Sequence, residues 1–167
     1  MERFKVRVTK DYLTFCSGHF IVFEGSQCER LHGHNYRVAA EIEGPLNEDQ
    51  LVFDFIALKQ VLRDIVNELD HRMLIPLHSR RLQVEHDERA VRLSYQDKEW
   101  IFPRGDCVLL PLENTTTELL ARWFASRLRE EITKHEKRAA GWVAVPQVIR
   151  TEVEESPGQS AFYETGC

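Results

Sequence analysis

The chain has 167 residues, 43% hydrophobic and 29% charged, with a formal net charge of −5, which fits one globular domain able to bury a core. That acidic balance excludes a general nucleic-acid binder, because no surplus of Lys and Arg offsets phosphate repulsion, and no apolar run nears the roughly 20 residues of a spanning helix. The first residues carry scattered charge, unlike a secretory signal, and Cys16, Cys28, Cys107 and Cys167 are too irregularly spaced for a disulfide framework, so the expectation is a cytoplasmic protein with free thiols.

Taken in chain order, FKVRVT (4–9) alternates apolar and polar with the period of a half-buried strand. YRVAAEIEG (36–44) alternates as well, with Tyr36, Val38, Ala40 and Ile42 on one face, before Gly44-Pro45 punctuates the chain. In FDFIALKQVLRDIVNELDHRML the period changes: Leu58, Val61, Leu62, Ile65, Val66 and Leu69 fall at helical spacing, with Asp54 as N-cap. LQVEH, AVRLSY, KEWIF and CVLLPL, within 81–112, read as short strands. TTTELLARWFASRLREEI returns to helix, Thr115 and Glu118 having capping-box spacing. The tail WVAVPQVIRTEVEESPGQSAFYE reads as a strand, a Ser-Pro-Gly turn and a short final segment. With no Gly-rich phosphate loop and no regular βαβ repeat, a nucleotide-binding parallel sheet is not expected. The pattern predicts one α+β domain over 1–167, an antiparallel sheet with helices on one face.

CERLHGHNYRV (28–38) concentrates chemistry. On a strand, His32 and His34 point to one face and can converge on one ion, with Gly33 leaving the opposite face open. A lone HxH also arises by chance among 7 histidines, so a third ligand decides. His19, in FCSGHF, follows the first strand and can sit beside the second in a hairpin; His78, His86 and His135 lie in charged segments and read as surface residues. Three imidazoles around zinc leave a fourth position for water or substrate. Cys28 is either a fourth ligand that closes the site or a reactive thiol whose pKa a nearby metal-bound substrate and histidine would lower. Asp70 and His71 adjoin at the end of the long helix; adjacency alone does not make them face each other. They read either as a helix-terminal histidine beside its dipole or as a carboxylate orienting a proton-shuttling imidazole. Glu152, Glu154 and Glu155 precede the final turn, where a carboxylate turned inward could grip two adjacent N–H donors.

FCSGHF, CERLHGHNYRV, LVFDFIALK, LDHRML, NTTTELLARW and VEESPGQSAFY together resemble the family of 6-pyruvoyltetrahydropterin and 6-carboxytetrahydropterin synthases, in order and across nearly the whole chain. The resemblance implies a tunnelling (T-) fold: a four-stranded antiparallel sheet with two helices on one face, assembled into a homo-oligomer, trimer or hexamer, with sites at subunit interfaces. It implies zinc on His19, His32 and His34, a catalytic thiol at Cys28, and Asp70 and His71 as proton relay. It also implies Thr117 and Glu118 near a pterin, and Glu155, eight residues before Tyr163, as pterin anchor. The implied substrate is 7,8-dihydroneopterin triphosphate. Three residues between Cys28 and His32 resemble the queuosine-type 6-carboxytetrahydropterin synthases more than the 6-pyruvoyl type. Residues 79–113 are an insertion relative to compact members, either a decorating hairpin or a lid or partner surface, with Cys107 a buried strand residue. Two other readings stand beside the lyase: a metal hydrolase, and a non-catalytic zinc-stabilised binding module.

Overall fold

A computed structural model of the chain describes residues 3–25, 27–138 and 146–166. Strands β1 (Phe4–His19), β2 (Val22–Phe23), β3 (Gln27–Cys28) and β4 (His32–Gly44) precede helix α1 (Phe55–Leu69). Strands β5 (Arg72–Pro76), β6 (Gln83–His86), β7 (Ala90–Tyr95), β8 (Lys98–Pro103) and β9 (Cys107–Leu110) lead to α2 (Thr117–Arg138), followed by β10 (Val148–Ser156) and β11 (Gln159–Gly166). The side chain of His135, residues 142–145 of the expected last strand, and Cys167 lie outside the described residues.

The main sheet runs β11-β10-β4-β1-β5-β9. Its first four strands are antiparallel neighbours, the expected core of the α+β fold. The sheet is wider than expected because β5 joins β1, and β9 joins β5, both in parallel. The source of the difference is the end of α1. The helix stops at Leu69, whose carbonyl accepts a 2.6 Å bond from Ser17 Oγ. Asp70 is then extended and His71 takes a left-handed φ of 57°, which turns RMLIP into a strand rather than a last helical turn.

Parity along β1 positions the site. Val8 is buried, but a register irregularity between Thr9 and Thr14 switches the inward set to Leu13, Phe15, Ser17 and His19. From Thr9 to Thr14 β1 advances five residues while β4 advances two, from Ala39 to Arg37, and an odd excess of three reverses which side chains face the core. Without it, an odd-numbered His19 would point away from the helices, as Arg7 does. On β4 the inward set is the expected Tyr36, Val38, Ala40 and Ile42.

The core lies between this sheet face and the two helices. The six apolar residues predicted for α1 are its buried ones, and Asp54 Oδ1 accepts from the Ile56 N–H at 2.8 Å as its cap. Each such side chain, fully buried, contributes roughly 1.5–3 kcal/mol. The expected Thr115–Glu118 capping box does not form. Thr116 Oγ1 accepts from Leu119 N at 3.4 Å instead, and Thr115 is buried under β1. Within 79–113, β6, β7 and β8 form a separate three-stranded antiparallel sheet. It closes a second apolar cluster of Phe20, Val22, Ile75, Leu82, Val91, Leu93 and the buried Cys107. His78 and His86 are exposed, and among the described residues no helix is long and apolar enough to cross a membrane.

Candidate active site

Pairing of β1 with β4 sets His19 opposite His32 and Ser17 opposite His34. Three imidazoles therefore meet on the helix-facing side, their ring centroids 4.8, 5.3 and 4.8 Å apart. Gly33 also sits where the strands approach closely: a Cβ on it would stand 3.1 Å from the Ser17 carbonyl oxygen. On β10 the inward set is Ile149, Thr151 and Val153, and Glu155 continues it. Its Oε1 lies 3.2 Å from His34 Nε2 and 3.5 Å from His19 Nε2. One ligand atom from each of His19, His32, His34 and Glu155 falls within 4.8 Å of the others.

The hydrogen bonds around these rings select their tautomers. His19 Nδ1 donates to the Thr115 carbonyl at 3.0 Å, and His32 Nδ1 to the Arg30 carbonyl at 2.8 Å. A carbonyl only accepts, so each ring presents the lone pair of Nε2 to the cluster, the arrangement in which histidines bind metals. The Tyr36 hydroxyl donates to His19 Nε2 at 3.2 Å. His34 Nε2 is buried and makes no hydrogen bond among the described residues, although Glu155 Oε1 stands beside it. Burial lowers the His19 pKa, with the Thr115 carbonyl opposing, which keeps the ring neutral as ligation requires. The buried His34 Nε2, with no hydrogen bond among the described residues and with the Nε2 atoms of His19 and His32 beside it, fits a metal ion such as zinc. Glu155, expected as a pterin anchor, stands against that cluster.

Asp70 and His71 do face each other, because the helix has ended before them: His71 Nδ1 and Asp70 Oδ2 are 2.9 Å apart. Asp70 Oδ1 accepts from the Cys16 N–H at 2.8 Å, and the His71 N–H donates to the Cys16 carbonyl at 2.7 Å. Burial pushes the Asp70 carboxyl up, but the Cys16 N–H and His71 together hold it below its usual value. The pair is not brought to the histidines of its own chain. It lines a cleft of about 630 Å³ with Thr14, Cys16, Asn35 and Arg37, which point away from the helices.

Cys28 is half-buried on β3 and lies outside the four-residue metal cluster. Its Sγ donates to the Glu29 carbonyl at 3.5 Å. In contrast to the lowered value expected beside a bound substrate and a histidine, burial raises its pKa in this chain. Cys16, Cys28 and Cys107 are all free thiols. Thr117 opens α2, and the exposed Glu118 carboxylate has no hydrogen bond or ion pair among the described residues. Sequence reasoning missed Thr115, Tyr36 and Ser17, which wire the site. Only Tyr36, two residues beyond His34 on the same strand face, carried a readable signal.

Residues 7–166 match the family described as 6-pyruvoyl tetrahydropterin synthase. A Methanocaldococcus jannaschii protein with the provisional name 6-carboxy-5,6,7,8-tetrahydropterin synthase is 32% identical over 152 residues, 90% of this chain and 89% of its own. The Aquifex aeolicus 6-carboxy-5,6,7,8-tetrahydropterin synthase is 28% identical, covering 95% and 90% respectively. In fold, the Plasmodium falciparum 6-pyruvoyl tetrahydropterin synthase superposes with a TM-score of 0.87 at 30% identity, with 100% of both chains covered. On the strength of the match across 7–166, the chain belongs to the 6-pyruvoyl tetrahydropterin synthase family.

Proposed function

We propose that this protein is a zinc-dependent 6-carboxy-5,6,7,8-tetrahydropterin synthase of the queuosine type, converting 7,8-dihydroneopterin triphosphate to 6-carboxytetrahydropterin, acetaldehyde and triphosphate. The observation that carries the reading is the orphaned His34 Nε2 beside two imidazoles whose tautomers backbone carbonyls fix. His19, His32 and His34 hold the metal, and bound zinc supplies Lewis acidity toward side-chain oxygens of the pterin. Cys28 moves a proton at the substrate side chain, and His71, held by Asp70, moves one from the opposite side. Because the Asp70–His71 pair lines the other sheet face of its own chain, the relay that serves a given metal centre comes from a second copy in a homo-oligomer. Thr117 and Glu118 lie against the pterin. Glu155 accepts from the pterin's amino group and ring N–H at the edge of the metal cluster.

A second reading, elimination of triphosphate alone to give 6-pyruvoyltetrahydropterin, is favoured by the full-length superposition on the Plasmodium enzymes. Incubation of the zinc-loaded protein with 7,8-dihydroneopterin triphosphate, with products identified by mass, separates the two. 6-Carboxytetrahydropterin with acetaldehyde is the expected result; 6-pyruvoyltetrahydropterin would establish the second reading, and no turnover would contradict both.

A further inference from the structure

The thiol assigned to chemistry sits on a weak element. Strands β2 and β3 are two residues each, pairing Val22 with Cys28 and Phe23 with Gln27. So short a hairpin has little stability alone. Beside its own Glu29 N–H bond to the Ile21 carbonyl at 3.0 Å and the Asn114 side chain, which donates to the Val22 carbonyl at 3.2 Å, the hairpin is held by the inserted sheet. Lys98 Nζ, at the start of β8, donates to the Cys28 carbonyl at 3.1 Å. Trp100, two residues along and on the same face of that strand, stacks on Phe20 with ring centroids 4.3 Å apart and planes 26° from parallel. Cys28 itself packs on the cluster that Val22 shares with Val91 and Leu93 of β7.

We propose that Lys98 is a positioning residue for Cys28, and that the inserted three-stranded sheet is thereby part of the active site. The assignment rests on the reading of Cys28 as the working thiol. Two contacts act on different parts of the hairpin. The Trp100–Phe20 stack fixes its base, and the Lys98 ammonium fixes the carbonyl of the thiol's own residue. The same ammonium, bonded to the carbonyl of the thiol's own residue, adds a positive charge that favours the reactive thiolate. Burial acts against the thiolate first, the Glu29 carboxylate adds to that, and Lys98 is the cation that opposes both. Glu29 is itself held by the Ile21 N–H, which donates to its Oε2 at 3.3 Å.

The test is alkylation of the substrate-free full-length protein by iodoacetamide, mapped to Cys28 by peptide mass across neutral to alkaline pH. Lys98 is exposed, so Lys98→Met should fold as the wild type does. Its Cys28 should react about 3- to 10-fold more slowly at neutral pH, with the profile displaced toward alkaline values. Lys98→Arg should restore the rate, and high salt should narrow the difference between Lys98→Met and wild type. Trp100→Leu, which keeps the ammonium, should alter the rate without restoration by charge. An unchanged or faster rate in Lys98→Met with an undisplaced profile overturns the proposal. Wild-type turnover by Cys28→Ser would overturn it differently, through the role of the thiol rather than through Lys98.

Discussion

The two faces of β1 and β4 carry different chemistry and are finished to different degrees. On the helix side, His19, His32 and His34 are preset: two rings are locked by the Thr115 and Arg30 carbonyls, and the third, half-buried, has a buried Nε2 that makes no hydrogen bond among the described residues. On the open side, Asp70 and His71 are oriented by the Cys16 backbone, and they line a solvent cleft to which, among the described residues, none of the three clustered histidines contributes. On the proposed reading, the difference means that one chain completes a binding centre and supplies half of a reaction centre. Preorganisation is concentrated at the imidazole cluster, and the Asp70–His71 pair stays open to solvent, where the proposed function has a second copy bring its metal face.

Breaking one face at a time gives the largest contrast. His32→Ala should lose zinc affinity by more than the ~10- to 100-fold that loss of an outer partner costs, measured by chelator competition. His71→Ala should keep full zinc content while turnover falls by about 10²- to 10⁴-fold, the range for a proton-transfer group. Zinc loss in His71→Ala would erase the distinction.

Ser17 sharpens the comparison because it lies on the helix side yet touches the chain just before the relay. Its hydroxyl bonds the last carbonyl of α1, just before Asp70, while its strand partner is His34. Ser17→Ala should cost about 1–3 kcal/mol of stability, since it leaves the buried Leu69 carbonyl unpaired. It should also lower turnover more than zinc content, checked by chemical denaturation beside metal analysis.

The smallest effect is one of pH. The Asp70 carboxyl is held below 3.8, against its own burial, by the Cys16 N–H and by His71. A depressed carboxylate contributes stability that is fully present above its ordinary value and is lost as pH falls through the folded one. The stability difference between wild type and Asp70→Asn should therefore shrink as pH drops below 3.8. A constant difference there would remove the clamp from the account.

Much of the helix-side face is legible in local sequence. Strand alternation places His32 and His34 with Tyr36, Val38, Ala40 and Ile42, and helical spacing finds every buried residue of α1. The rest depends on contacts no short window contains. The irregularity between Thr9 and Thr14, which turns His19 inward, leaves no mark in the alternation of FKVRVT. Adjacency on a helix does not by itself make Asp70 and His71 face each other; the contact appears where the helix stops at Leu69, whose carbonyl is bonded by Ser17, more than 50 positions away. Thr115 has the side chain and spacing of a cap, but its carbonyl is what the site uses, and a backbone acceptor has no residue identity to read. Lys98 is one charge among many in an insertion, distinguished only once β8 lies beside Cys28.

The central claim is that the metal face of one copy works with the relay of another. Co-expression of Cys28→Ser and His71→Ala chains, each inactive alone, tests it most directly. In randomly mixed oligomers about one site in four joins an intact thiol and metal centre to an intact relay from the neighbour. The account predicts activity near that fraction of wild type on 7,8-dihydroneopterin triphosphate. Mixed oligomers as inactive as either parent would contradict it.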